Sequence, residues 1–145
     1  SGLAAGIDEQ AHQVAIKHEA PTIAVIGTGL DRSYPRRNRE LQEYMLDNEL
    51  VLSEYPLHTK PLRHHFPDRN RIVAGLSRGV LVAEARERSG SLITAQRALE
   101  EGRDVFAVPG SIFSITSIGT NELIRQGAIC VKDEKSIQEE WEISN

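Results

Sequence analysis

Cysteine, methionine and long apolar runs are scarce or absent in this sequence. Cys130 is the only cysteine, which excludes an intrachain disulfide and a cysteine-rich metal site and fits a reducing, cytoplasmic setting. No run of about 18 apolar residues occurs and no signal-peptide pattern opens the chain, so the sequence supports neither a membrane span nor secretion. Met45 is the only methionine, and we therefore expect Ser1 to follow from processing or trimming of something longer.

An overall positive charge is absent as well, but the charges are unevenly spread. The formal net charge of the 145 residues is -4, which argues against binding of nucleic acid over the whole surface. Residues 31–39 carry four arginines against one aspartate, and residues 58–78 carry one lysine and four arginines against one aspartate. From residue 97 onward, five basic residues face nine acidic ones. The sequence predicts one basic region on the protein surface and an acidic region elsewhere, which balances its charge.

Short apolar runs alternate with segments of helical periodicity. The runs lie at Thr22 to Ile26, Leu50 to Ser53, Val80 to Ala83, Val105 to Val108 and Ala128 to Val131. Continuous runs of this length are typical of strands buried on both faces. Their alternation with helices predicts an α/β fold, a doubly wound, mostly parallel sheet with helices on both faces, in a single domain. Ligands of such folds bind in the loops outside the carboxyl ends of the strands, where both basic segments fall.

Residues 66–77, FPDRNRIVAGLS, carry the most informative pattern. Phe66 can stack on a base, while Arg69 and Arg71, at the expected start of a helix, can hold phosphates on either side of Asn70. Such a combination grips single-stranded nucleic acid without reading its sequence. The segment predicts a protein that handles DNA.

A second segment, residues 89–94, joins a strand end to a helix start. Ser89, Gly90 and Ser91 precede the helical run and Thr94 follows within it. The free amides at a helix start make an anion site, so a phosphate can bind there. An ordinary serine cap with no ligand is an equally good interpretation of this motif.

Three other patterns point to chemistry that the context does not support. Gly27-Thr28-Gly29 follows a strand as in dinucleotide-binding proteins, but Arg32 stands where that fingerprint needs a small residue, so a plain tight turn is favoured. Residues 75–79 match G-x-S-x-G, yet a helix precedes the serine and a strand follows it, the reverse of a nucleophile elbow. The histidines show no metal-binding spacing, and Cys130 is expected to be a small core residue.

The two segments at residues 66–77 and 89–94, together with other short segments along almost the whole chain, resemble the Rossmann-like core of the DprA (Smf) family of DNA-processing proteins. The segments that carry the resemblance are residues 1–8 with 11–12, 26–31 with 34, 35 and 38, 53–56, 66–77, 89–95, 102–103, 107–110, and 119–121 with 123–124 and 127–128.

The resemblance implies a non-enzymatic protein that binds single-stranded DNA, protects incoming strands and assists loading of RecA in natural transformation. It also implies a homodimer. We expect no cofactor and no metal. Carried over by position, Phe66, Arg69, Asn70 and Arg71 belong to the DNA pocket, and residues 89–94 form an adjacent wall that binds anions. We add Arg63 and the loop arginines Arg32, Arg36 and Arg37 to the predicted DNA-binding residues because of their positive charge.

The chain departs from the family pattern at its ends. Family members begin this domain with a further strand and helix, which include an arginine of the pocket, and that unit is missing here. We likewise expect no winged-helix segment in this piece of the protein. We therefore expect residues 1–145 to be one trimmed core domain.

An alternative function is a nucleotide-processing enzyme of the phosphoribohydrolase-like group, which shares the Rossmann-like core. Arg97 stands where the catalytic glutamate of that group is expected, and an arginine opposes the cationic sugar that forms in such a reaction. A sensor that binds a free nucleotide in the same pocket is a third alternative.

Overall fold

The computed structural model describes residues 1–142. These residues form two compact units, of which the first comprises Ser1–Val73 and the second begins at Ala74. None of the helices among residues 1–142 has the length and apolar character that crossing a membrane requires.

The first unit is built on two parallel strands. Its elements are helix α1 (Ile7–Lys17), strand β1 (Ile23–Ile26), a 3-10 turn (Arg36–Asn38), helix α2 (Arg39–Asn48), strand β2 (Leu50–Ser53) and all but the last two residues of helix α3 (His65–Gly75). Strands β1 and β2 pair in parallel, with Ile23 opposite Leu50 and Ile26 opposite Ser53. Since parallel strands end at the same edge of a sheet, the loops after Ile26 and Ser53 are neighbours.

The core of this unit is small and includes the start of the chain. Leu3, Ala24 and Met45 are each 0% exposed, and they form one apolar cluster with Ile26. The amide of Val25 donates to the carbonyl oxygen of Ser1 at 2.9 Å, so the first residues lie alongside β1. Burying this apolar surface is the main force that holds the helices to the strands.

His12 on α1 is buried in the same region and makes the stability of the protein depend on pH. Its side chain is 0% exposed, its Nδ1 shares a hydrogen bond of 2.7 Å with Oγ1 of Thr22, and its Nε2 has no partner among residues 1–142. Burial, assisted by the charge of the chain's amino group, lowers the pKa of His12 from 6.5 to about 4. The unfolded chain therefore binds this proton more readily than the folded chain does.

Between pH 7.5 and pH 5, we expect this histidine to remove about 2 kcal/mol from the free energy of unfolding. The stability is present above the unfolded pKa of 6.5 and is lost as the pH falls toward the folded pKa. Urea titrations at the two pH values measure the loss, with H12Q and the exposed H18Q as paired variants. The pH dependence should shrink in H12Q and persist in H18Q; equal dependence in wild type and H12Q would contradict this assignment.

The second unit contains a three-stranded parallel sheet. Its elements are strand β3 (Gly79–Val82), helix α4 (Gly90–Glu100), strand β4 (Asp104–Ala107), a 3-10 turn (Ile115–Ser117), helix α5 (Ile118–Arg125), strand β5 (Ile129–Cys130) and helix α6 (Lys135–Glu140). The strand order is β3-β4-β5, and both pairs are parallel. A cluster that includes Ala74, Val82, Ala95, Ala98 and Val105 forms the core of this unit.

Helix α4 ends at Glu100, two residues before a glycine with a positive φ. Gly102 has a φ of 66°, a conformation that glycine adopts without the steric cost a side chain brings. Its amide donates to the carbonyl of Leu99 at 3.0 Å, and the amide of Arg103 donates to the carbonyl of Ala98 at 2.8 Å. This pair of bonds is the Schellman arrangement of a helix end.

The fold class predicted from the sequence is confirmed: parallel strands alternate with helices through both units. The order around Ser77 is also confirmed, since α3 ends at Gly75 before β3 begins at Gly79. The prediction for Cys130 is wrong. Its side chain is exposed, because β5 has only two residues and pairs with a single neighbour, β4. The single domain expected over residues 1–145 stays a prediction.

Candidate nucleic-acid interface

Two loops of the first unit are joined at the carboxyl ends of β1 and β2. The hydroxyl of Ser53 donates to the carbonyl of Thr28 at 2.5 Å, and the amide of Gly29 donates to the carbonyl of Thr59 at 3.1 Å. The carboxylate of Asp31 accepts the amide of His58 at 2.7 Å. These bonds hold residues 27–38 against residues 54–64, so the two basic segments share one edge of the sheet.

The contact between these loops depends on the absence of a side chain at residue 29. A Cβ atom there would lie 2.6 Å from the carbonyl oxygen of Pro56 and 3.0 Å from the amide nitrogen of His58. Glycine is therefore needed for close approach of the two backbones, which explains the Gly27-Thr28-Gly29 pattern without a dinucleotide.

Aromatic rings gather at the same edge, above the start of α3. The ring centroids of Tyr34 and Phe66 lie 5.1 Å apart with planes tilted by 34°, and Tyr55 stacks on His65 at 3.9 Å. His65 is buried and donates from Nδ1 to the carbonyl of Gly27 at 2.9 Å. The bond fixes the first turn of α3 to the end of β1, and this places Phe66 beside the loop that carries Tyr34.

Arg69 is buried, and its guanidinium group forms hydrogen bonds inside the protein. The residue is 5% exposed, and its Nη1 donates to the carbonyl of Gly2 at 2.6 Å and to that of Val25 at 2.7 Å. Its guanidinium carbon lies 5.4 Å from the centroid of the Phe66 ring. Burial lowers the pKa of Arg69, and the nearby Asp8 carboxylate opposes that shift. A direct contact between Arg69 and a phosphate stays a prediction; in this structure the side chain ties α3 to β1 and to the first residues.

Its neighbours on α3 face solvent to a greater extent. Arg71 is paired with Glu54, and its side chain is 53% exposed. Asn70 accepts a hydrogen bond from Nε of Arg69 at 2.9 Å through its side-chain oxygen. The segment picked out from the sequence thus contains one buried and one exposed arginine, which have different roles in the structure.

Most of the loop arginines carry a positive charge that no carboxylate among residues 1–142 pairs with. Arg36 and Arg63 are exposed, and neither they nor Arg32 forms an ion pair with any residue between 1 and 142. Arg37 differs, because Glu9 lies 3.3 Å away. Arginines without a carboxylate partner remain available for the phosphates of a ligand.

In the second unit, residues 89–94 open helix α4 as expected. Ser89 has the extended backbone of an N-cap residue, but its side chain makes no capping hydrogen bond, and its buried Oγ has no partner within the described chain. The hydroxyl of Thr94 donates to the carbonyl of Gly90 at 3.3 Å, while Ser91 is exposed. The side-chain cap is therefore not formed here, and the anion site stays a prediction.

An open pocket of about 470 Å³ lies beside this helix start. Its lining combines apolar and charged side chains of α4 with the preceding loop: Arg88, Ser89, Leu92, Ile93, Gln96, Arg97 and Glu100. Arg97 approaches Glu100 at 3.1 Å. An arginine, not a carboxylate, thus occupies the position where the alternative enzymatic function needs an acid.

Tyr34 and Tyr55 are not among the site residues that the sequence predicts. The available signal is an aromatic residue inside or just before each basic segment, since Tyr34 stands between Arg32 and Arg36 and Tyr55 precedes the segment that begins at residue 58. Interleaved aromatic and basic residues are typical of surfaces that bind single strands.

Comparison with known proteins places the chain among DNA-processing proteins. The family model described as DNA recombination-mediator protein A matches residues 1–142. DNA processing protein DprA of Streptococcus pneumoniae is 57% identical over 142 residues, which are 98% of this chain and 50% of that protein. DprA of Bacillus subtilis is 51% identical over 97% of this chain and 47% of that protein. The chain therefore spans about half the length of these curated relatives.

Solved structures agree with the sequence matches. The X-ray structure of DprA from Streptococcus pneumoniae has a TM-score of 0.92 and 56% identity, and the match covers 96% of this chain and 49% of that one. A structure of DNA processing protein A from Helicobacter pylori, described for its single-stranded DNA binding mode, has a TM-score of 0.87 and 31% identity over 97% of this chain and 63% of that one. The chain belongs to the DNA recombination-mediator protein A family, which the DprA and Smf proteins represent.

Proposed function

We propose that this chain binds single-stranded DNA, with little sequence preference, at the carboxyl edge of the first unit's sheet. The proposal is supported by two loops that hydrogen bonds hold together and that carry both aromatic rings and arginines without an ion-pair partner among residues 1–142. Rings offer stacking faces to any base, and arginines hold the phosphates between bases. The single-stranded DNA binding mode described for the Helicobacter pylori relative supports the same function.

Within this proposal, the residues have distinct roles. Arg63 and Arg71 contact phosphates, Phe66 belongs to the aromatic surface, and Asn70 and Arg69 keep the start of α3 in place. In the second unit, Ser89, Gly90, Ser91 and Thr94 offer a further anion site at the start of α4. The buried hydroxyl of Ser89 supports that site, because a buried hydroxyl without a partner is costly unless a ligand or water satisfies it.

We further propose a non-enzymatic role in recombination, in which the full-length protein protects incoming strands, assists loading of RecA and works as a homodimer. The description of the family as a recombination mediator supports this role. The position of Arg97, where the alternative phosphoribohydrolase-like enzyme needs a carboxylate, supports it as well.

Calorimetry with an oligo-dT and with thymidine monophosphate tests the proposed binding. We expect the oligonucleotide to bind and the mononucleotide to show no measurable heat, because a strand makes several phosphate and stacking contacts at once while one nucleotide makes few. With four to six phosphate contacts, the log–log slope of affinity against salt should be roughly -3 to -4. Equal affinity for the mononucleotide would favour a nucleotide sensor, and no binding of the oligonucleotide would refute the proposal.

A further inference from the structure

Of the two rings in the Tyr34–Phe66 pair, Phe66 is the less exposed, because it is partly buried. Tyr34 lies against it at 5.1 Å, and the guanidinium of Arg69 lies over its ring at 5.4 Å. A Cβ atom built on Gly27 would lie 3.1 Å from two of its ring carbons, so the backbone of the β1 loop also contacts it. Three groups of the protein therefore already contact the Phe66 ring.

Tyr34 is the ring of this pair that faces solvent. Its side chain is 46% exposed, although it packs on Phe66. Stacking of a base on this exposed ring is favourable, because the base replaces water on an apolar surface. The second ring packs behind the first and supports it.

The backbone around Tyr34 is fixed before any ligand arrives. The carbonyl of Arg32 accepts a hydrogen bond from Nε2 of Gln42 at 2.7 Å and another from Oγ1 of Thr28 at 3.3 Å. On the other side of the tyrosine, Nδ2 of the buried Asn38 donates to the carbonyl of Leu3 at 3.0 Å. Because the segment is held at both ends, little conformational entropy is lost when a ligand binds to it.

The charges near this ring suit a polyanion. Arg32 and Arg36 stand two residues before and after Tyr34 in the sequence, and neither has an ion-pair partner among the residues that the structure describes. The loop that carries the tyrosine ring therefore also carries two arginines for the phosphates of a bound strand.

We propose that Tyr34 is the stacking platform for an unpaired base and that Phe66 is the ring that supports it from behind. The inference rests on the proposed binding of single-stranded DNA and names the side chain that receives the base. It assigns Phe66 a positioning role, because its contacts with Tyr34, Arg69 and Gly27 already occupy its surroundings.

The test compares the affinity for oligo-dT of wild type, Y34A, Y34F and the control Y44A, with circular dichroism to confirm that each variant is folded. Tyr44 is a matched control because it is the same residue type, is also 46% exposed and lies on α2. We expect Y34A to weaken binding by roughly 5- to 150-fold, the range of a lost stacking contact. Y34F should stay within about twofold of wild type, because the ring is kept. The salt slope of Y34A should equal that of wild type, since no charge is removed.

Photocrosslinking with an oligo-dT that carries 5-iododeoxyuridine gives an independent readout, and mass spectrometry should locate the adduct on Tyr34. If wild type fails to bind the oligonucleotide, the proposed function itself is refuted. If wild type binds and Y34A binds equally well, or Y34F loses as much affinity as Y34A, the stacking role of Tyr34 is overturned while the proposed function stands.

Discussion

Replacing Arg69 by methionine should lower the free energy of unfolding by about 2–4 kcal/mol, although a methionine fills much of the same space. The substitution removes the donors that satisfy the carbonyls of Gly2 and Val25, at 2.6 and 2.7 Å. Both bonds are buried, so no water replaces the lost donor without rearrangement. Urea titration followed by circular dichroism measures the loss.

Arg71→Met is the matched control, since Arg71 lies on the same helix. Its side chain is 53% exposed, and its partner is the partly exposed Glu54. A surface ion pair of this kind contributes less than about 1 kcal/mol. Equal losses in R69M and R71M would show that the Arg69 guanidinium is not the link between α3, β1 and the first residues.

Reversing the charges of Arg36 and Arg63 together should weaken binding of oligo-dT about 30-fold or more at about 0.1 M salt. Each arginine is exposed and lacks an ion-pair partner within residues 1–142, so reversal breaks no internal contact that the structure shows. The log–log salt slope should become shallower by about 1.4, because two phosphate contacts are lost. Fluorescence anisotropy at several salt concentrations gives both quantities.

The paired variant for this experiment is Lys17→Glu with Arg125→Glu. Lys17 ends α1, and Arg125 ends α5 with its side chain 82% exposed. Each double reversal makes the net charge more negative by the same amount, so a general electrostatic effect would weaken both variants alike. We expect the control to keep most of its affinity; equal weakening would remove the case for a local site.

The order of helices and strands was readable from the sequence because parallel strands are apolar along their whole length. The runs at Thr22 to Ile26 and Val80 to Ala83 predicted β1 and β3 to within one residue at each end. The last run was less informative. Only Ile129 and Cys130 form β5, and a two-residue strand at the side of a sheet leaves one of its side chains exposed.

The candidate site is only partly predictable from the sequence, because an arginine can either form buried hydrogen bonds within the protein or lie at the surface, where it can bind a ligand. Arg69 and Arg71 are two positions apart in one motif, yet one binds main-chain carbonyls and the other lies at the surface. Sequence alone does not show the carbonyls of Gly2 and Val25, which come from segments 67 and 44 residues away. The pairing of Tyr34 with Phe66 depends in the same way on the loop contacts at the sheet edge.

Amide chemical-shift mapping of the isotope-labelled chain during titration with oligo-dT locates the DNA-binding surface directly. We expect the largest shifts at saturation within residues 27–38 and 54–71, which carry the rings and the arginines without an ion-pair partner among residues 1–142. A saturable complex whose shifts leave both of these segments unchanged would contradict it.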